Sequence, residues 1–283
     1  MKNTKKIYFF AAIALLISIS LFSCSSDDTS DIPFPENETS GLIKIQEFTN
    51  SNYIVSLYTQ SGKLTTGYNE IFLQIKNKTT GEFEKNSSVS WLPVMHMTTK
   101  SHSCPYSSVE QVKEKPTLYK GFIIFQMAGN ESEFWELSLQ LNNSETITDT
   151  IQVVNTTQRT VQVFTGTDAT RYVLALIPST PFVGINDISA CLYKMQDMNT
   201  FIPVDQYTIK LDPRMPGMGN HTSPNNTDLT SYGSGIYKGK VSLTMTGYWK
   251  LNLMLLTSEN QVLKGEKITD TQEASSLFFE MEF

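Results

Sequence analysis

The chain has 283 residues, a formal net charge of −6, 40% hydrophobic residues and 11% aromatic residues. This composition supplies enough apolar side chains for real cores, and the length allows one or two domains, so a chain that is disordered overall is excluded. The acidic balance with scattered lysines also excludes the basic footprint of a nucleic-acid-binding protein.

The first 24 residues form a predicted export and anchoring segment. Three lysines precede an uncharged apolar run over residues 7–22, and residues 21–24, Leu-Phe-Ser-Cys, resemble a bacterial lipobox. The resemblance implies that residues 1–23 are a lipoprotein signal peptide and that Cys24 is lipidated and becomes the mature N-terminus. An uncleaved membrane helix is the alternative, but the run is short for a span of about 20 residues.

The segment that follows is predicted to be a flexible tether over residues 24–40. Its Ser- and Asp-rich part, residues 25–31, resembles the acidic stretch that exports some Bacteroidetes lipoproteins to the cell surface, although a solvated linker has the same composition. We therefore expect a lipid-anchored protein of the bacterial outer membrane, on its periplasmic or its cell-surface face, which contacts the membrane through its anchor.

From residue 41 onward the sequence predicts short β-strands separated by turn residues. Residues 134–141 alternate apolar and polar side chains, which is the pattern of a half-buried strand, and no segment has a sustained helical period with caps. The predicted strands cover residues 41–45, 53–58, 71–75, 88–92, 121–127, 134–141, 147–154, 160–164 and 188–193. The chain is predicted to be all-β.

The second half of the chain repeats the first. The matched positions are Gly67 with Gly184, Tyr119 with Tyr237, Trp135 with Trp249, and His102 and Pro105 with His221 and Pro224. Agreements in one order at a nearly constant offset indicate tandem copies of one domain. Seven short strands in about 100 residues are typical of an immunoglobulin-like sandwich. We predict two such antiparallel β-sandwich domains, over residues 41–157 and 158–283, which touch because the joint is short.

The tryptophans and cysteines are assigned from their strand patterns. Trp249 is in phase with Leu251, Leu253 and Leu255, so it is predicted to lie in the core and not on a ligand-stacking surface. The two cysteines after Cys24 have no evident pairing. They are predicted to be free, with Cys191 buried in a strand and Cys104 exposed in a loop.

Two predicted loops contain every histidine of the chain, together with several methionines. The first loop contains Met95, His96, Met97, His102 and Cys104, and the second contains Met215, Met218 and His221. Met127 and Met245 follow at equivalent positions of the two copies. Proline and glycine on either side of Met218 exclude a regular helix or central strand there.

The order Met-Pro-x-Met-x-x-His, Tyr-x-Gly, Met-x-Gly and Trp-x-Leu, over residues 215–253, resembles the YtkA-like domain and the related FixH-like domains of bacterial envelopes. Residues 95–139 match as a diverged copy. The resemblance implies small immunoglobulin-like sandwiches with a membrane or lipid anchor, and some members of these families occur with copper handling.

Thioether and imidazole ligands suit Cu(I), whereas Met sulfur is a poor ligand for Mg²⁺, Ca²⁺ or Zn²⁺. We therefore predict non-catalytic binding or delivery of Cu(I). The predicted metal ligands are Met215, Met218, His221 and Met245 in the second copy, and Met95, His96, Met97 and His102 in the first.

Other interpretations stay open at this point. The methionines fit equally well as flexible core fillers, and a lone histidine in a polar loop is usually only solvated. The chain would then be a structural or protein-interaction lipoprotein of the envelope, without metal. A carbohydrate-binding module is a weaker alternative. Catalysis is not expected, because no triad, zinc motif or phosphate loop occurs in the sequence.

Overall fold

The computed structural model describes residues 37–283, and residues 38–283 form one compact unit. The predicted signal peptide, Cys24 and the tether up to residue 36 lie outside the described residues. The end of the tether is held to the body of the protein, because the Glu38 carboxylate accepts hydrogen bonds from the backbone N–H and the hydroxyl of Thr117. Within residues 37–283, no helix has the length and apolar character needed to cross a membrane.

The first half folds into two packed sheets. Its strands are β1 (Ile43–Thr49), β2 (Tyr53–Thr59), β3 (Leu64–Thr65), β4 (Gly67–Asn77), β5 (Val89–His96), β6 (Ser101–His102), β7 (Glu110–Val112), β8 (Lys115–Phe125), β9 (Phe134–Leu141), β10 (Glu145–Ile151) and β11 (Val153–Val154). One sheet has the order β1-β2-β4-β8-β7 and the other β10-β9-β5-β6, while β11 and β3 pair in parallel.

The second half has the same strand order. Its elements are β12 (Val161–Thr165), β13 (Arg171–Leu176), β14 (Gly184–Met195), β15 (Phe201–Pro203), β16 (Thr208–Met215), the 3₁₀ helix η1 (Pro216–Met218), β17 (His221–Thr222), β18 (Thr227–Gly233), β19 (Ile236–Leu243), β20 (Tyr248–Leu256), β21 (Val262–Lys264) and β22 (Leu277–Glu282). Here a short β16–β18 pairing joins the two sheets into one hydrogen-bonded path.

Both halves have the strand order of an immunoglobulin constant-type sandwich. Strands β2, β4, β7 and β8 take the places of A, B, D and E in one sheet, and β5, β9 and β10 those of C, F and G in the other. In the second half the same places are taken by β13, β14, β18 and β19, and by β16, β20 and β22. The prediction of two tandem immunoglobulin-like antiparallel sandwiches is confirmed, with β1 and β12 as additional N-terminal edge strands.

The inward-facing side chains of the alternating strands fill one core in each sandwich. Trp135 and Trp249 are completely buried, and each donates its indole N–H to a backbone carbonyl, that of Met127 or that of Met245. The alternating side chains after Trp249 lie in the same core, as predicted. Because a buried indole needs an acceptor, these two bonds fix the loop between strands E and F above each core.

A buried tyrosine on strand E also recurs. The Tyr119 hydroxyl donates to the carbonyl of Glu84 at 3.3 Å, and the Tyr237 hydroxyl donates to the carbonyl of Val204 at 2.9 Å. Each hydroxyl also accepts a backbone N–H, so each tyrosine holds the connection between strands B and C against strand E.

The two sandwiches contact each other through a third apolar cluster. Ile124 of the first sandwich is completely buried with Val173, Ala175 and Cys191 of the second. The neighbouring Tyr68 and Phe122 rings stack on each other in the same cluster. This interface confirms the predicted contact between the copies.

Cys104 is also completely buried, so the prediction that it is exposed was wrong; both cysteines are free and buried.

Candidate metal centre

The Met/His segments lie where strand C ends in each sandwich, and they have the same cross-strand pairing in both copies. Met95 on β5 is the Cα partner of His102 on β6, and Met215 on β16 is the Cα partner of His221 on β17. Residues directly opposite each other in an antiparallel pair lie on the same face of the sheet. These residues were predicted to lie in loops; instead, the end of strand C and a two-residue return strand hold them.

His102 is enclosed, with 9% of its surface exposed. Its Nδ1 lies 2.7 Å from the carbonyl oxygen of Ser103. Because a carbonyl only accepts, Nδ1 carries the proton in the neutral ring and Nε2 has a lone pair. No residue within 37–283 hydrogen-bonds to this Nε2. A histidine ligand of a metal is usually held in this way, with its second nitrogen donating to a backbone carbonyl.

Four sulfur-containing side chains belong to the first core or pack against it. Met95 and Cys104 are buried in one apolar cluster with Trp135, and Met97 and Met127 pack against that cluster as partly buried side chains. The His102 ring meets the Trp135 ring edge-on, with 5.8 Å between the ring centroids. Complete burial raises the pKa of the Cys104 thiol well above its ordinary value, so this sulfur is protonated at neutral pH.

His96 is separated from this cluster by the alternation of β5. Met95 is buried, whereas the His96 ring stacks on Phe134 at 5.0 Å and lies 3.5 Å from the Glu136 carboxylate. Its Nε2 atom is enclosed without a hydrogen bond, because the 3.5 Å approach to Glu136 is close enough for an ion pair but lacks hydrogen-bond geometry. Consequently His96 cannot share an ion with Met95 and His102.

In the second sandwich the four predicted ligands point to different environments. Met215 is buried in the core, and its methyl carbon lies 3.3 Å from the position that a Cβ would take on Gly247. Met218, in η1, has 58% of its surface exposed, and Met245 and His221 are exposed as well. Met215 therefore fills the end of the core, while the other three side chains face solvent.

The difference between the two copies has a structural cause. In the first sandwich the chain around His102 lies against the second sandwich, where the backbone N–H of Ser103 donates to the carbonyl of Met198 at 2.8 Å. Residues 102–105 are all buried as a result, whereas residues 216–219, 221 and 222 of the second copy are exposed. The same segment is thus an enclosed cluster in one copy and an open surface in the other.

The described residues 37–283 contain no group of three or more His, Cys, Asp and Glu side chains that could hold a metal ion. A centre for a soft ion in this part of the chain would therefore include methionine sulfur. The candidate soft donors of the first sandwich are Met95, Met97, Met127, His102 and Cys104. The sequence pointed to all five as donors, with Met95, Met97 and His102 as predicted ligands, but the second copy was preferred because its Met-Pro-x-Met-x-x-His spacing is the more regular.

Comparisons with known proteins assign neither a family nor a role to the chain. No family model matches the chain, and no curated protein matches it. Among solved structures, the chain is similar to FdeC, an adhesin of Escherichia coli, with 11% sequence identity, 79% of each chain covered and a TM-score of 0.24. The sandwich assignment therefore rests on the strand order of this chain.

Proposed function

We propose that this protein is a non-catalytic envelope lipoprotein that binds Cu(I) in its first sandwich. The observation that carries the proposal is the His102 ring, which is enclosed, lies opposite Met95 in the strand pair and donates a hydrogen bond from Nδ1 to the carbonyl of Ser103. An imidazole that keeps one lone pair beside thioether side chains is the donor set that a soft monovalent ion prefers.

Each residue has a separate role in this proposal. The His102 Nε2 atom supplies the nitrogen ligand, and Met95 supplies the first sulfur from the paired strand. Met97 and Met127 pack at the partly open side of the same cluster, where they can supply further sulfur as the ion enters. Cys104 stays a neutral thiol in the absence of copper and becomes a ligand only if it loses its proton.

The anchor and the family resemblance complete the proposal. Lipidation at Cys24 would hold the protein at the outer membrane. The resemblance to YtkA-like domains points to the same chemistry, and the function would then be to store copper or pass it to an envelope partner, without catalysis.

A competing function is a structural or interaction lipoprotein in which the same methionines only fill the end of a core. The carbohydrate-binding alternative loses its main support, since Trp91, Trp135 and Trp249 are all buried and none offers a stacking surface. Titration with copper separates the first two functions.

The experiment uses residues 37–283, which include the whole described compact unit, titrated with Cu(I) against a competing chelator. Met95→Leu/His102→Ala removes the enclosed pair, and Met215→Leu/His221→Ala removes the equivalent pair of the second copy. We expect binding tighter than about 1 µM, corresponding to roughly 8 kcal/mol. The first variant should lose about tenfold or more in affinity, as losses at metal sites commonly do. The second variant should bind like the wild type.

Circular dichroism and urea unfolding verify that the variants are folded, and Leu is a volume-conserving substitute for Met. If the first variant does not fold, Met97→Leu/Met127→Leu leaves His102 in place and tests the same cluster. Affinity no tighter than micromolar, or equal loss in the two pair variants, contradicts the copper proposal and favours the interaction lipoprotein.

A further inference from the structure

One end of the second sandwich carries several exposed apolar side chains. We call it the open end and define it by three loops, residues 177–183, 216–220 and 244–247, which themselves contain no Asp, Glu, Lys or Arg, although the Arg214 guanidinium donates to the carbonyl of Asn220. The strands bring these loops together, because Gly184 is the Cα partner of Leu243 and the backbone N–H of Gly247 donates to the carbonyl of Phe283. The methyl group of Met215 also lies against Gly247.

Large apolar side chains stand out from this end into solvent. Phe182, Val183, Met218 and Met245 expose 57, 54, 58 and 37% of their surfaces, and the adjoining Ile185 exposes 50%. Exposed apolar patches of several hundred Å² usually mark interaction sites.

The equivalent end of the first sandwich has hydroxyl side chains in place of two of these apolar ones. The positions that match Phe182, Val183 and Ile185 are Thr65, Thr66 and Tyr68. This end lies next to the second sandwich, because the Thr160 hydroxyl donates to the carbonyl of Thr66 at 3.5 Å and Tyr68 packs in the apolar cluster between the sandwiches. The exposed phenyl and isopropyl groups of this loop are therefore particular to the second copy.

Several backbone groups of the open end are hydrogen-bonded internally. The Asn186 side chain, itself 5% exposed, accepts from the N–H of Phe182 and donates to the carbonyls of Phe182 and Gly184. The carbonyl of Met245 accepts the indole N–H of Trp249. Internal pairing of backbone groups is the condition for entering hydrocarbon, where water cannot replace a missing hydrogen bond.

The exposed apolar area indicates whether a lipid bilayer or a second copy of the chain covers the open end. An aromatic side chain buries 150–250 Å² and the aliphatic ones less, so five side chains that are roughly half exposed offer on the order of 400 Å². A tip-to-tip dimer would bury about twice that, below the roughly 1,200 Å² of a stable interface. The same area entering a membrane needs no complementary partner surface, and the net negative charge of the chain gives no electrostatic attraction to an anionic surface.

We propose that the open end of the second sandwich inserts into the headgroup–acyl boundary of a lipid bilayer, through Phe182, Val183, Met218 and Met245. This contact is separate from the predicted lipid anchor and from copper binding. It would lay the second sandwich on the membrane surface and fix the orientation of the protein.

The test is flotation of residues 37–283 with phosphatidylcholine vesicles, which carry no net charge. We expect binding of the order of a single acyl chain, with a partition constant of about 10⁴ M⁻¹, and no loss of binding in 0.5 M salt, where charge attraction is screened to roughly 4 Å. Phe182→Ser/Val183→Ser should reduce binding at least tenfold. The matched control Ile43→Ser/Phe83→Ser removes two exposed apolar side chains of the first sandwich and should bind like the wild type.

Tryptophan fluorescence is a second readout, which shows directly whether the open end enters the bilayer. The three tryptophans of the chain are buried, so Phe182→Trp adds one exposed reporter. Its fluorescence should be quenched by brominated acyl chains, whereas a tryptophan that replaces Phe83 should not be. No flotation of the wild type overturns the proposal. So does equal flotation of the serine variant and the wild type. A wild-type dimer in the absence of lipid that Phe182→Ser/Val183→Ser dissociates would assign the open end to self-association instead.

Discussion

Asn69 and Asn186 occupy equivalent positions on strand B, and replacing them should lower the free energy of unfolding by different amounts in the two sandwiches. Asn69 accepts from the N–H of Thr65 and donates to the carbonyls of Thr65 and Gly67, with three bonds of 2.7–2.9 Å. Asn186 makes the same three bonds to Phe182 and Gly184. Both side chains are almost completely buried, so Asn→Ala removes an identical set of bonds in each copy.

The expected magnitude depends on whether water can replace the lost side chain. At the open end the loop is accessible, so each lost bond should cost only its net value of about 0.5–1 kcal/mol, or roughly 2 kcal/mol for Asn186→Ala. The loop beside Asn69 contacts Thr160 of the second sandwich, and Gly67 is buried whereas Gly184 is not. A polar group left unpaired and dry costs about 1–3 kcal/mol, so Asn69→Ala should cost roughly 3–5 kcal/mol.

Urea unfolding of residues 37–283, followed by circular dichroism and by tryptophan fluorescence, measures the two losses. Thermal unfolding should show the same order, with a shift of roughly 2–4 °C for each kcal/mol in a domain of this size. If Asn186→Ala costs as much as Asn69→Ala, or more, water is equally available at both loops. The inference that the second sandwich seals the end of the first would then be wrong.

Three further predictions concern buried side chains. Tyr237→Phe removes the hydroxyl that joins Val204 and Tyr207, and urea unfolding should show a loss of about 1–3 kcal/mol because two backbone groups lose their partner; an unchanged midpoint would contradict that role. Cys104 and Cys191 should both fail to react with a thiol reagent at pH 8 until guanidinium unfolds the protein, and a fast-reacting thiol in the native protein would refute their burial. Burial raises the pKa of Cys191 to about 12, so the folded state holds this proton more tightly than the unfolded chain, whose thiol has a pKa near 8.5. The contribution of this thiol to the free energy of unfolding should therefore be fully present below pH 8.5 and fall by up to about 1.4 kcal/mol per pH unit between pH 8.5 and 12. Cys191→Ala should reduce the slope of the free energy of unfolding against pH, and an equal slope in both proteins would contradict the assignment.

The fold was accessible from the sequence because each strand carries its own signal. Residues 134–141 were predicted as a strand from period-two alternation alone, and β9 has these bounds. The internal repeat supplied the rest, since a strand that is weak in one copy is recognisable in the other. Strand β4 was predicted too short, because the buried Asn69 near its start breaks the apolar pattern, although its side chain serves the loop before the strand.

The candidate site was only partly accessible. The sequence identified Met95 and His102, but it could not show that Met95 pairs with His102 while His96 faces the other side, because that depends on the register of a two-residue strand. The preference for the second copy came from its regular spacing. Spacing contains no information about which copy a neighbouring domain covers, and that cover decides between an enclosed His102 and an exposed His221.

The open end was missed for a different reason. Pro181, Phe182 and Val183 read as a short apolar run beside a turn, and such runs usually lie in the core. Only the fold shows that Asn186 turns this run outward. An uncharged loop between two predicted strands, in a copy whose partner loop has threonines, was the available sequence signal.

The most direct test of the central claim is X-ray absorption at the copper edge of residues 37–283 loaded with one equivalent of Cu(I). We expect a first shell of sulfur with one nitrogen, and this nitrogen should disappear in His102→Ala and persist in His221→Ala. A shell of nitrogen and oxygen only, or a nitrogen that disappears with His221, would contradict a copper centre in the first sandwich.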